Sequence, residues 1–337
     1  GATTNGVLAR GFEYGDPKGF NHILENSGIS YELIQNYCLL QIAGRNFWTD
    51  PDIYHGELAW GIEITDDAKE FTVYLKRGMK WHPASGVNLA DPKYAWLRGE
   101  HEVTANDLAF TFELIKNPQV QSGHWNNYYK DVESWKVIDD YTFVIRWKKK
   151  EYMNLTITAE HFPTPRFLYG FDESGKPYPK ETLGLRFNQH FYNNKGFMGA
   201  GPYRMASYEP GVKITLERFE SFLGEKPAIQ KLVYPIYNDL KQNILKLRAH
   251  EIGVGELMPG QYREEILEPE KPGRKPANSP FFDGRIECQK IKRPLYSYIA
   301  WNSARPMFAD KRVRRAMTHA FDRQRIIDNV YVGLATI

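Results

Sequence analysis

Residues 296–333 read YSYIAWNSARPMFADKRVRRAMTHAFDRQRIIDNVYVG, and this stretch pairs one strand-like run with two helix-like runs. Leu295 to Trp301 is short, apolar and aromatic, which suits a buried strand, and Asn302 to Pro306 breaks it. Asp310 can then cap a helix whose apolar stripe is Val313, Ala316, Met317 and Ala320, with Lys311, Arg312, Arg314 and Arg315 facing water. Asp322 opens a second helix with Ile326, Ile327 and Val330 on its buried side. Gly333 falls where a left-handed C-terminal cap is expected. Strand, turn and two helices form an α/β unit common to many folds, so function has to come from the rest of the chain.

At 337 residues the chain exceeds the roughly 250–300 at which a single core stops growing, so two or three domains are expected. The net charge of +3, from 44 basic and 41 acidic residues, asks for neither nucleic acid nor an anionic membrane. Lys148–Lys150 and Lys311–Arg312 read as solvated faces. No stretch reaches the roughly 18 apolar residues of a spanning helix, and no signal peptide precedes Gly1. Cys38 and Cys288 lie far apart without CxxC or Cys/His spacing, which indicates two small core residues and no zinc site. No metal or cofactor is expected. The aromatic share, 14% with 8 Trp and 21 Tyr, favours a contact surface for a flexible ligand.

Working outward, Tyr31 to Ile42 carries Leu33, Ile34, Tyr37, Cys38, Leu40 and Ile42 mostly at helical spacing. Phe71, Val73 and Leu75 alternate with Thr72, Tyr74 and Lys76 as a half-buried strand after an Asp66-Asp67 turn. A Pro-, Gly- and charge-rich insertion covers 83–100. Thr104 and Asp107 have capping-box spacing, and Leu108, Thr111, Phe112 and Ile115 line one face of a helix ending at Asn117-Pro118. Val137 to Trp147 reads as a hairpin about Asp139-Asp140, residues 160–196 as loops, Val212 to Glu217 and Pro227 to Tyr237 as strands, and Asn238 to Leu247 as a helix.

No Gly-x-Ser-x-Gly elbow, Walker A loop or HExxH helix is present; His101-Glu102 lacks a second His, and Gly253-x-Gly255 lacks a third glycine. The carboxylate pairs Asp66-Asp67 and Asp139-Asp140 sit at strand turns, where Asp hydrogen-bonds its own backbone. A glycosidase-like enzyme stays open as an alternative, because aromatic platforms and scattered carboxylates also serve that chemistry.

Several phrases resemble those of the family 5 extracellular solute-binding proteins, the oligopeptide and dipeptide receptors of ATP-binding-cassette (ABC) importers. They are Asp16-Pro17 with Phe20-Asn21; Leu58-Ala59-Trp60 followed by Gly78, Lys80, Trp81 and His82; Val103 to Asp107; Gly199-Ala200-Gly201-Pro202-Tyr203; and Tyr298 to Asn302 with Pro306, Phe308 to Asp310, Val313 to Ala316 and Ala320 to Arg323. Departures are Pro83 where the family has Asp, Ala200 where it has Thr, and the insertion that separates Trp81-His82 from Val103. The resemblance runs through nearly the whole chain in the family's order.

The resemblance implies an α/β, two-lobed periplasmic-binding-protein fold (type II, peptide-binding subclass) with an incomplete second lobe. Residues 1–30 would be a first-lobe entry segment, 31–195 an inserted subdomain, 196–293 the first-lobe α/β core, and 294–337 the start of a second lobe whose Val313, Met317 and Ile327 stripes are partly uncovered. It implies a non-catalytic receptor outside the cytoplasm, periplasmic or extracellular, its signal removed and a lipid anchor lying upstream of residue 1. Its partners would be short peptides or another small ligand and ABC permease subunits in the membrane. Contacts to the ligand would fall on Glu25, Trp125, Tyr128 and Tyr129 in the first lobe, and on Tyr296, Tyr298, Trp301 and Asn302 in the second. A hydrolase or binding protein for an oligosaccharide is the alternative.

Overall fold

Alternation places Phe71, Val73 and Leu75 on one face of strand β5 (Glu70–Leu75), and all three are buried. The strand lies in an antiparallel sheet with β4 (Ala59–Ile64), β6 (Val132–Asp139) and β7 (Thr142–Trp147), in the order β4-β5-β7-β6. Val73 faces Phe143, and Phe71 faces Ile145, so aromatic and β-branched side chains pair across the inner face. Helix α1 (Ala105–Lys116) covers that face through Phe112, whose ring stands 5.8 Å from Phe143 and 5.2 Å from Trp135. In this computed structural model the described residues are 6–11, 15–25, 27–28, 30–46, 50–237, 239–271, 279–291 and 296–336. They divide into two units, residues 2–238 and 239–337.

Asp107 fixes the start of α1. Its buried carboxylate accepts from the backbone N–H groups of Thr104 at 3.0 Å and Arg166 at 3.0 Å, and from Trp81 Nε1 at 3.3 Å. Burial outweighs these donors and raises its pKa to about 6. The bond from Trp81 brings together two phrases that the insertion separates. Val103 N–H donates to Met79 O at 2.7 Å and Trp81 N–H to His101 O at 2.8 Å, so 83–100 leaves and returns at one place. The insertion is tied down at its tip, where Tyr94 and Lys195 both reach Glu173, at 2.7 and 2.9 Å.

A second sheet has the order β1-β10-β9-β8, from β1 (Val7–Ala9), β8 (Tyr203–Glu209), β9 (Lys213–Arg218) and β10 (Lys231–Pro235). β1 runs parallel to β10, Val7 beside Lys231, while the other pairs are antiparallel. The two sheets meet at a clasp. His82 N–H donates to Gly199 O at 2.7 Å, Gly199 N–H donates to His82 Nδ1 at 3.2 Å, and His82 Nε2 lies 2.9 Å from Gly201 O. With Nδ1 accepting, Nε2 carries the proton and the ring is neutral. Gly201 N–H in turn donates to Cys38 O at 2.8 Å. A Cβ on Gly199 would lie 1.9 Å from that same carbonyl, so only glycine fits.

Tyr31 to Ile42 is helical over Ser30–Cys38, but as a wide π-turn, with Leu39 N–H reaching Ile34 O at 2.7 Å. Residues 160–196 are less loop-like than their prolines suggest, because short helices form at Arg166–Tyr169 and Leu183–Asn188. A two-stranded sheet, β2 (Ala43–Asn46) with β3 (Asp50–Gly56), completes the strands among the first unit's described residues.

In residues 239–337 the expected helices form at Gln242–Arg248, Lys311–His319 and Arg323–Asn329. Asn238, where the first was expected to begin, lies outside the described residues. Asp310 caps the second by accepting from Arg312 N–H at 2.8 Å, and Asp322 caps the third by accepting from Arg325 N–H at 2.9 Å. Gly333 has the left-handed φ of +75°. The stripe residues Val313 and Met317 are exposed, and Ile327 is half-buried. Two expectations fail. Residues 296–301 form no strand (Leu295 lies outside the described residues), since no strand of two or more residues forms among this unit's described residues and an unpaired strand leaves its backbone groups without partners. Cys288 is exposed, not a core residue; Cys38 is buried.

Two outcomes follow from the clasp and the buried imidazoles. Gly199→Ala is expected to cost more than about 3 kcal/mol, enough to lower the yield of folded protein, against about 1–3 kcal/mol for His82→Leu, as read by denaturant unfolding. Burial lowers the pKa of His82 to about 4, of His161 to about 3 and of His190 to about 4, from 6.5. Unfolded histidines bind protons that the folded ones refuse, so stability is full above pH 6.5 and falls as pH drops toward those values. The loss is up to about 1.4 kcal/mol per pH unit for each. Asp107, with its pKa raised from 3.8, opposes this between about pH 6 and 4. Thermal melting midpoints should therefore fall clearly from pH 7.5 to 5; a flat profile would contradict the assignment.

Candidate functional site

Helix α2 (Gly123–Tyr129) and residues 20–25 of the entry segment bring aromatic and polar side chains together. Trp125 and Tyr129 stand one turn apart on the same face of α2, ring centroids 6.3 Å apart. Phe162 meets the Trp125 ring edge-on at 5.0 Å, and Trp125 Nε1 donates to the backbone carbonyl of His22 at 3.3 Å. These contacts hold the indole half-buried.

Tyr128 and Tyr129, adjacent in sequence, have opposite fates. Tyr128 is 53% exposed beside Trp125, its ring 6.2 Å away. Tyr129 is 2% exposed and its hydroxyl lies 3.0 Å from His161 Nδ1. His161 Nε2 lies 3.0 Å from Leu108 O, which fixes a neutral ring that donates to the carbonyl and accepts from Tyr129. Tyr129 is thus a support beneath Trp125. Glu25 is half-buried at the end of the entry segment and accepts from Ser27 N–H at 3.1 Å. Its charge acts on His124, whose pKa is lowered by burial and raised in part by Glu25.

The other four expected contacts lie in the second unit. Tyr296 and Tyr298 are 84% and 73% exposed, their rings 5.7 Å apart. Trp301 is half-buried against Phe308 at 5.3 Å, and Asn302 shapes a turn, accepting from Ala304 N–H at 3.0 Å. The eight residues therefore form two groups, one in each unit.

Chemically, the first group offers an aromatic shelf and a carboxylate. One carboxylate of each pair weighed for acid/base work is committed to a turn: Asp67 accepts from Thr65 Oγ1 at 2.7 Å and Lys69 N–H at 3.1 Å, and Asp139 accepts from Tyr141 N–H at 2.8 Å. Among the described residues, no group of three or more His, Cys, Asp or Glu is placed to hold a metal ion, and no helix is long and apolar enough to cross a membrane. Sequence reading passed over His22 and His124. The available signal was a histidine inside the apolar run Phe20 to Leu24, too common a pattern to single out.

The description "Bacterial extracellular solute-binding proteins, family 5 Middle" matches residues 54–337. The chain belongs to this family. Among the family 5 proteins it is similar to a dipeptide-binding protein of Escherichia coli (strain K12), 26% identical over 329 residues that span 95% of this chain and 55% of that one. The fold matches the Helicobacter pylori periplasmic binding protein DppA, solved with the peptide STSA, at a TM-score of 0.69 and 18% identity over 97% of this chain and 58% of that one. It also matches Campylobacter jejuni NikZ, solved with Ni(L-His), at 0.71 and 16% identity over 98% and 56%. The chain thus spans little more than half the length of these proteins. The fold is the mixed α/β one of these solved binding proteins, as its phrases implied.

Replacing Tyr129 by Phe strands His161 Nδ1 and is expected to cost about 1–3 kcal/mol, whereas Tyr128→Phe should be neutral within about 0.5 kcal/mol. Paired thermal melts separate the two.

Proposed function

We propose that this chain is the substrate-binding component of an ABC importer, capturing short peptides outside the cytoplasm and presenting them to membrane permease subunits. The observation that carries this reading is the family match over 54–337, joined to a fold shared with a receptor solved around a tetrapeptide. Receptors of this class work by closing two lobes on a ligand that touches both, so the ligand shifts a pre-existing equilibrium and no covalent step is needed. An extended peptide satisfies its backbone at strand edges and leaves its side chains in roomy pockets, which gives breadth of specificity.

In this reading Trp125, Tyr128 and Glu25 supply contacts from the first unit, with Tyr129 as the support of Trp125; Tyr296, Tyr298, Trp301 and Asn302 supply them from the second. In this reading the protein is non-catalytic and works in the periplasm or outside the cell. The relatives described above do not favour the oligosaccharide alternative.

Native mass spectrometry of the complete protein purified from its host tests the reading. A ladder of co-purifying short peptides is expected, together with a loss of about tenfold in affinity, ~1.4 kcal/mol, for Tyr128→Ala. Turnover of a supplied oligosaccharide, with no peptide bound, would replace the receptor by a hydrolase.

A further inference from the structure

Among the described residues of the first unit, His22 is a buried imidazole, 1% exposed, with neither ring nitrogen hydrogen-bonded. The ring meets Phe162 at 4.5 Å and Phe197 at 5.8 Å, both edge-on. An N–H directed at an aromatic face compensates only weakly for a lost hydrogen bond. His82, His161 and His190 are equally hidden, but each has hydrogen-bonding partners, so expelling any of them breaks bonds. Expelling the His22 ring breaks none.

The surroundings do not favour a positive charge there. From α2 the titratable group facing His22 is His124, whose Nε2 is also unpartnered; beyond it lies Glu25, which acts on His124. From the segment carrying Phe162 comes His161, committed to Tyr129 and Leu108. Burial, with His124 second, lowers the His22 pKa to about 3. An imidazole in water takes its proton near 6.5, so His22 gains one only by leaving its box. The backbone carbonyl of the same residue holds Trp125 Nε1, which couples the position of His22 to that of the indole.

We propose that His22 is an acid-operated latch: neutral and packed between Phe162 and Phe197 it holds Trp125 and α2 in place, and on acidification it takes a proton from solvent, leaves its aromatic box and frees Trp125. Each pH unit below 6.5 favours the released form about tenfold. A latch closed by about a hundredfold at neutral pH therefore has its midpoint about two units below 6.5. The inference concerns residues 2–238 alone and does not rest on the receptor reading, which its failure would leave untouched.

The test follows tryptophan fluorescence of the full chain and of its Trp125→Phe variant from pH 7.5 to 3.5, their difference reporting Trp125, with far-UV circular dichroism recorded in parallel. The Trp125 signal is expected to change below pH 6.5, ahead of the fall in the far-UV signal that marks global acid unfolding. His22→Leu, which fills the box with hydrocarbon, should abolish the transition, and His124→Ala should move its midpoint upward. Should His22→Leu not fold, His22→Gln, which cannot take a proton, is read in the same way. A transition unchanged in the His22 variant, or a Trp125 signal that moves only as the far-UV signal collapses, overturns the latch.

Discussion

The first unit depends on one close approach of backbone to backbone. Where Gly199 and Gly201 pass the carbonyl of Cys38, no side chain fits, and His82 bonds to the glycine pair with both ring nitrogens. Through this clasp the loop leaving β5 is joined to the segment entering β8, and the wide helix Ser30–Cys38 is locked against both. Asp107 repeats the device nearby, since a single buried carboxylate gathers Trp81, Thr104 and Arg166. Buried polar groups so fully paired specify one arrangement of the surrounding apolar surfaces, which hydrophobic burial alone would leave open to alternatives.

This explains why the recognisable phrases of the sequence are where they are. The bonded members of Lys-Trp-His and Gly-x-Gly-Pro-Tyr lie up to 119 residues apart, with Thr-x-x-Asp between them, yet the polar members of all three meet at two points. Their residue types answer to short-range demands: a ring with a donor and an acceptor, a carboxylate at a helix start, a backbone without Cβ.

Much of the fold was legible because local pattern and final burial agree. The alternation at Phe71, Val73 and Leu75, the caps Thr104, Asp310 and Asp322, and the turn carboxylates all act within a few residues of themselves. What was illegible depends on distant neighbours. Tyr128 and Tyr129 look alike in the chain, and only the position of His161 beneath α2 separates shelf from support. Residues 296–301 have the composition of a strand, but composition cannot supply the partner that a strand needs. Cys288 resembles Cys38 in type and differs in what surrounds it. His22 was hidden for the opposite reason: its neighbours in sequence are ordinary core residues, and its lack of partners exists only in three dimensions.

The pairing of β1 with β10 also bears on how the unit is made. Val7 must wait for Lys231 before its strand has a parallel neighbour, so the sheet containing β8 and β9 gains its last strand only after nearly the whole unit has been synthesised. Contacts of such sequence separation slow folding, because a long loop must close before the bonds that reward it form. Until Lys231 is in place the strand Val7–Ala9 has no parallel neighbour, and its open edge is exposed to wrong pairing for as long as the intervening chain is being made.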